Sequence, residues 1–332
     1  MKKIFDVLMG IKAEVVNLMQ PHIKQIEPDL ALDSQERVEL PKELPIKIVP
    51  IKDNPGKIST VIAKVKSTAP ETRYFQIEDG DHHHKIAYTV SGDMDAENIL
   101  LCLPGLLETK ASFLVIHAYF LKFDNCKVIS IDFSGRGESD YIDDRSAYKM
   151  SLYLSDISQL IRGVILTEKL ANQRLTILGT SMGGVLAMYL TQIFGKKIDE
   201  IILNDIALTV NWTALYSLYK SMKNEIGFRD ARELAKDLSV DQKAVSDVQL
   251  PGHFDLSYQA DVWGMNFHEA LENYKGKVGL IYGGKSKICT KQRVDEAKSF
   301  FPYLQAFEVA NAGHPVPFNL AVCDFIQSEM GV

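Results

Sequence analysis

Short, continuous apolar runs alternate with helical periods over most of the chain. The helical periods fall over 153–170, 182–194 and 291–301. The apolar runs are too short for buried helices and have no polar face, as expected of parallel strands that are covered on both sides. These runs are 99–103, 127–131, 175–178, 201–203 and 278–282. The alternation predicts an α/β fold with a mostly parallel, doubly wound sheet, in which ligand sites lie at the carboxyl ends of the strands.

Two segments with strict alternation, 73–77 and 85–90, precede the apolar runs. They predict an antiparallel hairpin that turns at Gly80. We expect the three histidines at this turn, at 82–84, to be solvated. The folded core is therefore expected to begin at residue 73.

The first 72 residues have a different pattern. Apolar side chains recur at helical spacing from Ile4 to Leu18, and Pro21 ends the predicted helix. Seven of the chain's 12 prolines lie between 21 and 70, which predicts an extended arm. The helix can pack on its own domain, contact a second copy in a homo-oligomer, or lie on a membrane surface, although its mixed charges disfavour the last. No uncharged apolar run reaches the ~18 residues of a transmembrane helix.

The run at 175–178 leads into Gly179-Thr180-Ser181-Met182-Gly183 and then a helical period. This is the G-x-S-x-G pattern between a strand and a helix, the setting of a nucleophile elbow. In so tight a turn, the residues two before and two after the serine nearly touch, so that only Gly179 and Gly183 fit there. We expect Ser181 to be exposed above the sheet, with the positive end of the helix dipole near any oxyanion.

A serine hydroxyl needs a base to become an effective nucleophile, and His314 is the predicted base. It lies in the loop 311–315, between the last predicted strand, 303–309, and the last predicted helix, 318–330. A loop at the carboxyl end of a strand can bring the imidazole onto Ser181.

Four segments together resemble the α/β-hydrolase superfamily over residues 73 to 332. Leu103-Pro104-Gly105-Leu106 follows the third strand, and the segment 132–139 resembles the D-x-x-G-x-G-x-S loop after the fourth; the elbow and the Gly313-His314 loop complete the set. The resemblance implies a carboxylesterase-like serine hydrolase. It also implies an oxyanion hole formed by the backbone N–H groups of Met182 and Leu106.

The acid of the triad is missing from the position where the resemblance places it. Lys287 stands there, after the strand at 278–282, and a lysine cannot accept the histidine N–H bond. Two explanations stay open. Asp205, at the end of the preceding strand, replaces the acid and keeps the order serine, aspartate, histidine. Alternatively, the triad is degenerate and the protein binds a ligand without turnover.

About 70 residues separate Asp205 from the strand at 278–282, far more than a direct connection needs. We therefore predict a helical cap at 206–275, inserted between core segments 73–205 and 276–332. Its aromatic residues Trp212, Tyr216 and Trp263 are candidates for an apolar pocket above Ser181.

The composition of the chain disfavours several classes of function and of site. The formal net charge of −6 disfavours binding to nucleic acid, because an acidic surface repels phosphate. The four cysteines are scattered, which argues against a disulfide framework or a thiolate zinc site and favours a reducing, cytoplasmic location. We expect no cofactor and no metal ion. The predicted activity is hydrolysis of a small-molecule, apolar acyl substrate; acyl transfer and C–C bond hydrolysis would use the same residues.

Overall fold

The computed structural model describes residues 67–79, 82–106, 108–144, 147–148, 150–166, 172–209 and 267–332. Within them lies one eight-stranded sheet. Its strands are β1 (Ser67–Asp79), β2 (His82–Asp93), β3 (Asn98–Leu103), β4 (Cys126–Ile131), β5 (Arg174–Thr180), β6 (Glu200–Asn204), β7 (Lys277–Gly283) and β8 (Gln305–Val309). The helices are α1 (Leu114–Phe120), α2 (Met150–Leu160), α3 (Met182–Phe194), α4 (His268–Leu271), α5 (Lys291–Phe300) and α6 (Leu320–Met330).

The strand order is β1-β2-β4-β3-β5-β6-β7-β8. The pairs β1–β2 and β2–β4 are antiparallel, and the remaining pairs are parallel. The chain runs outward from β3 to β4 and then crosses back to β5 on the other side of β3. The predicted mostly parallel, doubly wound sheet is confirmed.

Alternate side chains of β3 enter two separate hydrophobic layers. Leu101 and Leu103 belong to a cluster shared with α2, α3, α4 and α5. Leu100 and Cys102 belong to a second cluster shared with α1 and α6. Every residue of β3 is buried, which explains why its sequence is a continuous apolar run rather than an alternating one.

Strand β1 begins at Ser67, within the predicted N-terminal arm, 1–72. The pairing with β2 continues to Ser67 opposite Asp93, and its register shifts between Thr68 and Glu71. This irregularity contains Pro70, and β1 is the edge strand of the described sheet; an edge or a bulge is where a strand tolerates proline. The predicted helix at 4–18 and its homo-oligomer contact lie outside the described residues and stay predictions.

Both described ends of the predicted cap, 206–275, contribute to the core. Leu208 and Phe267 are buried in the main hydrophobic cluster, and so are Ala270, Leu271 and Tyr274. The backbone N–H of Phe267 donates to the carbonyl of Leu208 at 2.7 Å. The insert therefore leaves and re-enters the core at one place, and its described ends belong to the core. These flanking residues are apolar, and they complete the hydrophobic layer that covers α3.

His84 is not solvated, contrary to expectation. It lies in β2 and is 3% exposed, and its Nε2 is 3.1 Å from Oδ1 of Asp156 on α2. Strand β2 extends back to His82, so His84 shares the inward face of Ile86 and Tyr88, as the two-residue period of a strand requires. His83 is exposed.

All four cysteines are buried and carry free thiols. Burial raises the pKa of Cys126 to about 12 and that of Cys323 to about 11, so these thiols stay protonated and unreactive near neutral pH. No helix within the described ranges is long and apolar enough to cross a bilayer.

Glu200 provides a test of the packing at the amino end of β6. The side chain is fully buried, and Oε1 has no hydrogen-bond partner among the described residues. Burial, with a smaller contribution from the Glu329 carboxylate, raises the pKa of Glu200 from 4.5 to about 7. Between these values the unfolded chain loses the proton while the folded chain keeps it, so folding loses stability as pH rises.

The Glu200→Gln variant removes this titration. We expect it to gain stability relative to the wild type between about pH 5 and pH 7, by roughly 1–3 kcal/mol, and then to stay level. Urea unfolding of both proteins across this range measures the difference. A difference that does not change with pH would contradict the assignment.

Candidate active site

Ser181 occupies a strained turn between β5 and α3. Its φ is +49° and its ψ is −111°, a conformation that L-residues seldom adopt. Backbone bonds hold it in place: the Ser181 N–H donates to Asn204 O at 2.9 Å, and the Ser181 carbonyl accepts from Gly184 N–H at 2.9 Å. The turn positions the hydroxyl where β5 ends and the N-terminus of α3 begins.

Gly179 and Gly183 are required by the packing of this turn. A Cβ on Gly179 would lie 2.4 Å from the carbonyl oxygen of Gly183, and one on Gly183 would lie 2.2 Å from that of Leu103. Neither neighbour can move easily, because both contacts are with backbone. The close approach inferred from the G-x-S-x-G pattern is therefore present, and Gly183 also lets the turn pack against the end of β3.

The imidazole of His314 lies between Ser181 and Asp205. Its Nε2 is 2.9 Å from Ser181 Oγ, and its Nδ1 is 2.7 Å from Asp205 Oδ2. The carboxylate can only accept, so we assign the proton to Nδ1, which leaves Nε2 to accept from the serine hydroxyl. The structure thus brings together the three side chains that the sequence singled out.

Asp205 follows β6 directly and is fully buried, with a φ of +59°. Its Oδ1 accepts the Gly283 N–H at 3.0 Å, and its Oδ2 accepts the Ser286 hydroxyl at 2.7 Å as well as the imidazole. Three donors therefore compensate the charge of a carboxylate that has no access to water. Lys287, at the position where the resemblance places the acid, is exposed on the loop after β7.

Asn204 links the segments that carry the three side chains. Its carbonyl accepts the Ser181 N–H, and its Nδ2 donates to Val316 O at 2.9 Å, in the loop of His314, and to Thr180 Oγ1 at 3.3 Å. Sequence reasoning missed this residue, although its place beside Asp205 at the end of a buried strand is a signal.

The turn after β3 lies against the elbow. The Gly105 N–H donates to Glu108 Oε2 at 2.7 Å, and the Glu108 N–H donates to Gly105 O at 3.2 Å. An ideal Cβ on Gly105 would lie 3.5 Å from Thr180 O, which places the turn beside Ser181. Because Glu108 occupies the Gly105 N–H, the next N–H along this turn is that of Leu106. Glu108 had no recognisable signal in the sequence, since its contact depends on the turn it closes.

Met182 and Leu106, the predicted oxyanion donors, lie on the two segments that meet at the elbow. Met182 is the first residue of α3, and Leu106 follows Gly105 in the turn after β3. Both side chains are partly exposed. A helix N-terminus and a turn that present N–H groups beside a nucleophile can stabilise negative charge on a carbonyl oxygen.

The D-x-x-G-x-G-x-S loop after β4 is hydrogen-bonded to the segment that follows β3. Asp132 accepts the backbone N–H groups of Lys110 and Glu138, at 2.7 and 2.9 Å, and pairs with Lys110 Nζ at 2.7 Å. A Cβ on Gly137 would lie 2.3 Å from Asp132 Oδ2, so glycine is needed there. This network ties the loop after β4 to the turn after β3.

The predicted pocket residues Trp212, Tyr216 and Trp263 lie outside the described residues, so the pocket stays a prediction. Within the described ranges, no three His, Cys, Asp or Glu side chains are grouped so that they could hold a metal ion.

Comparison with known proteins agrees with this architecture. Residues 98–218 match the sequence model of the family described as alpha/beta hydrolase fold. A 3-hydroxybutyrate-oligomer hydrolase from Cupriavidus necator is 28% identical over 289 residues, which are 76% of this chain and 94% of that protein. The sn-1-specific diacylglycerol lipase ABHD11 from Xenopus laevis is 26% identical over 258 residues, 69% of this chain and 80% of the lipase.

The chain belongs to the α/β-hydrolase superfamily. Among solved structures, an alpha/beta hydrolase from Novosphingobium aromaticivorans superimposes with a TM-score of 0.61 at 20% identity, covering 79% of this chain and 98% of that one. At this identity the likeness shows the fold of this α/β-hydrolase. The sequence relatives are hydrolases, and the prediction of an esterase-like hydrolase is confirmed.

Proposed function

We propose that this α/β-hydrolase cleaves a carboxylic ester through an acyl-enzyme on Ser181, with His314 as the base and Asp205 as the triad acid. One observation carries the proposal: the hydrogen bonds run without a break from Ser181 Oγ through His314 to Asp205, at 2.9 and 2.7 Å. A nucleophile bonded to a base that a buried carboxylate orients is the arrangement that acyl transfer requires.

The reaction follows from these contacts. Ser181 Oγ attacks the ester carbonyl carbon while His314 Nε2 takes the hydroxyl proton. The N–H groups of Met182 and Leu106 stabilise the oxyanion of the tetrahedral intermediate. Its collapse breaks the C–O bond to the alcohol, which leaves with the proton from Nε2. Water then attacks the acyl-enzyme, gives its proton to His314, and the acid departs as the serine regains its hydrogen.

The two sequence relatives suggest the substrate class. Their names describe hydrolysis of 3-hydroxybutyrate oligomers and of diacylglycerol, both of which carry carboxylic ester bonds. These names favour a carboxylic ester, and the aromatic residues of the insert favour an apolar acyl group, so we extend the proposal to such an ester. In this proposal, Trp212, Tyr216 and Trp263 in the inserted cap line the acyl pocket above Ser181.

The main alternative is a ligand-binding protein with a degenerate triad, and Lys287 at the position expected for the acid supports it. The position of Asp205 weighs against it, because the carboxylate occupies the place from which an acid orients the imidazole. Lys287 is exposed, so it does not replace that carboxylate.

A panel of p-nitrophenyl esters from acetate to octanoate tests the proposal on the wild-type chain. We expect multiple turnovers, with kcat/KM rising by about tenfold or more from the acetate to the longer esters, because each added buried methylene contributes about 0.8 kcal/mol. Equal kcat/KM values along the series would contradict the apolar acyl group. A single burst without turnover would contradict hydrolysis and favour the binding protein.

A further inference from the structure

The loop after β7 supports Asp205 through the hydroxyl of Ser286. Ser286 Oγ lies 2.7 Å from Asp205 Oδ2. The same oxygen accepts the N–H groups of Ile288 at 3.2 Å and Cys289 at 3.1 Å. A serine hydroxyl has one hydrogen and two lone pairs. Since the two N–H groups occupy the lone pairs, the hydrogen of Ser286 points to the carboxylate.

Ser286 and His314 share one oxygen of Asp205. Oδ2 accepts from Ser286 Oγ and from His314 Nδ1, each at 2.7 Å, whereas Oδ1 accepts the Gly283 N–H at 3.0 Å. A second donor on Oδ2 fixes the rotation of the carboxylate. It also draws negative charge away from the imidazole, because hydrogen bonds to an ionised acceptor are strong.

We propose that Ser286 is a positioning residue that holds Asp205 in the plane of the imidazole and weakens the attraction of the carboxylate for protonated His314. The proposal rests on the function proposed above for the same site. Lys287 stands where the resemblance places the acid, and Ser286 precedes it directly in the same loop. In this proposal, the loop therefore contributes a hydroxyl that positions Asp205, the acid at the end of β6.

Other charged and titratable groups lie on the loop of Ser286 and on α5. The buried Cys289 thiol interacts electrostatically with Asp205 and with Arg293 on α5. Lys285 and Lys287 are exposed on the same loop as Ser286. Exchanging Ser286 for a neutral residue leaves all these charges in place, so a change in the titration of His314 reports the loss of the hydroxyl.

The test compares the wild type with Ser286→Ala, Ser286→Thr and Ser158→Ala. Threonine keeps the hydroxyl. Ser158 is a matched control, since it is buried in α2 and its Oγ has no hydrogen-bond partner among the described residues. Two quantities are measured: the acid limb of the pH profile of kcat/KM, and the midpoint of the His314 imidazole titration by NMR. The NMR measurement does not depend on activity, so it remains informative if the proposed ester hydrolysis fails.

We expect Ser286→Ala to move both midpoints to higher pH by about half a pH unit or more and to lower kcat about tenfold. Ser286→Thr should restore the wild-type midpoints, and Ser158→Ala should not move them. If Ser286→Ala melts below the assay temperature, Ser286→Cys, with its weaker donor, should show a smaller shift in the same direction. An unchanged His314 titration in folded Ser286→Ala, or in folded Ser286→Cys where the alanine variant does not fold, would overturn the proposal, whatever the activity.

Discussion

Replacing Ser181 by alanine should reduce kcat for ester hydrolysis by a factor on the order of 10⁵–10⁶, down to the background rate. The oxygen of the Ser181 hydroxyl forms the acyl-enzyme, and alanine has no oxygen that could replace it. A water molecule in that place is not attached to the chain, so it could not form the covalent intermediate. The fold should persist, because the Ser181 side chain makes no capping hydrogen bond to α3. Steady-state kinetics and thermal melting of the purified variant measure both effects.

Ser158→Ala is the matched control for this comparison, since it removes a buried serine hydroxyl away from the triad. It should leave kcat within about twofold of the wild type, as expected for a substitution that breaks no hydrogen bond of the site. Turnover retained by a folded Ser181→Ala protein would show that another group is the nucleophile.

Replacing Asp205 by asparagine should lower kcat by roughly 10³–10⁴-fold. With the amide oxygen accepting the Gly283 N–H, the amide nitrogen faces His314 Nδ1. It would then donate to Nδ1 and force the imidazole proton onto Nε2. In that tautomer Nε2 cannot accept the proton of Ser181, so the base is lost while its ring stays in place.

Lys287→Ala is the appropriate control for the acid, because it alters the position where the resemblance would place that residue. Its side chain is exposed, and we expect kcat to stay within about twofold of the wild type. The kinetic comparison of both variants decides where the acid is. Activity of Asp205→Asn within tenfold of the wild type would mean that the acid lies elsewhere.

Local pattern was enough to predict the elements around the elbow. The helical period at 182–194 coincides with α3, because two glycines and a strand fix its start. The buried strands were found because side chains covered on both faces must be apolar along the whole run. The order of Ser181, Asp205 and His314 along the chain then indicated which strand ends meet.

Contacts between distant residues could not be predicted in the same way. Ser286 and Asp205 are separated by 81 positions and meet only because β6 and β7 are neighbours. The burial of His84 depends on Asp156, 72 positions away on α2. The sequence did not indicate that the flanks of the insert pack into the core, because these flanks are as apolar as the core they join. Each miss concerns a partner supplied by the tertiary fold.

The central claim is that Ser181 is the nucleophile, and intact-mass analysis after treatment with a fluorophosphonate tests it most directly. The account predicts one adduct on the wild-type chain, mapped to the peptide that contains Ser181, and no adduct on Ser181→Ala. Prior incubation with a p-nitrophenyl ester should slow the labelling, because the acyl-enzyme occupies the same oxygen. A folded wild-type protein that stays unlabelled, or an adduct that maps to another residue, would contradict the account.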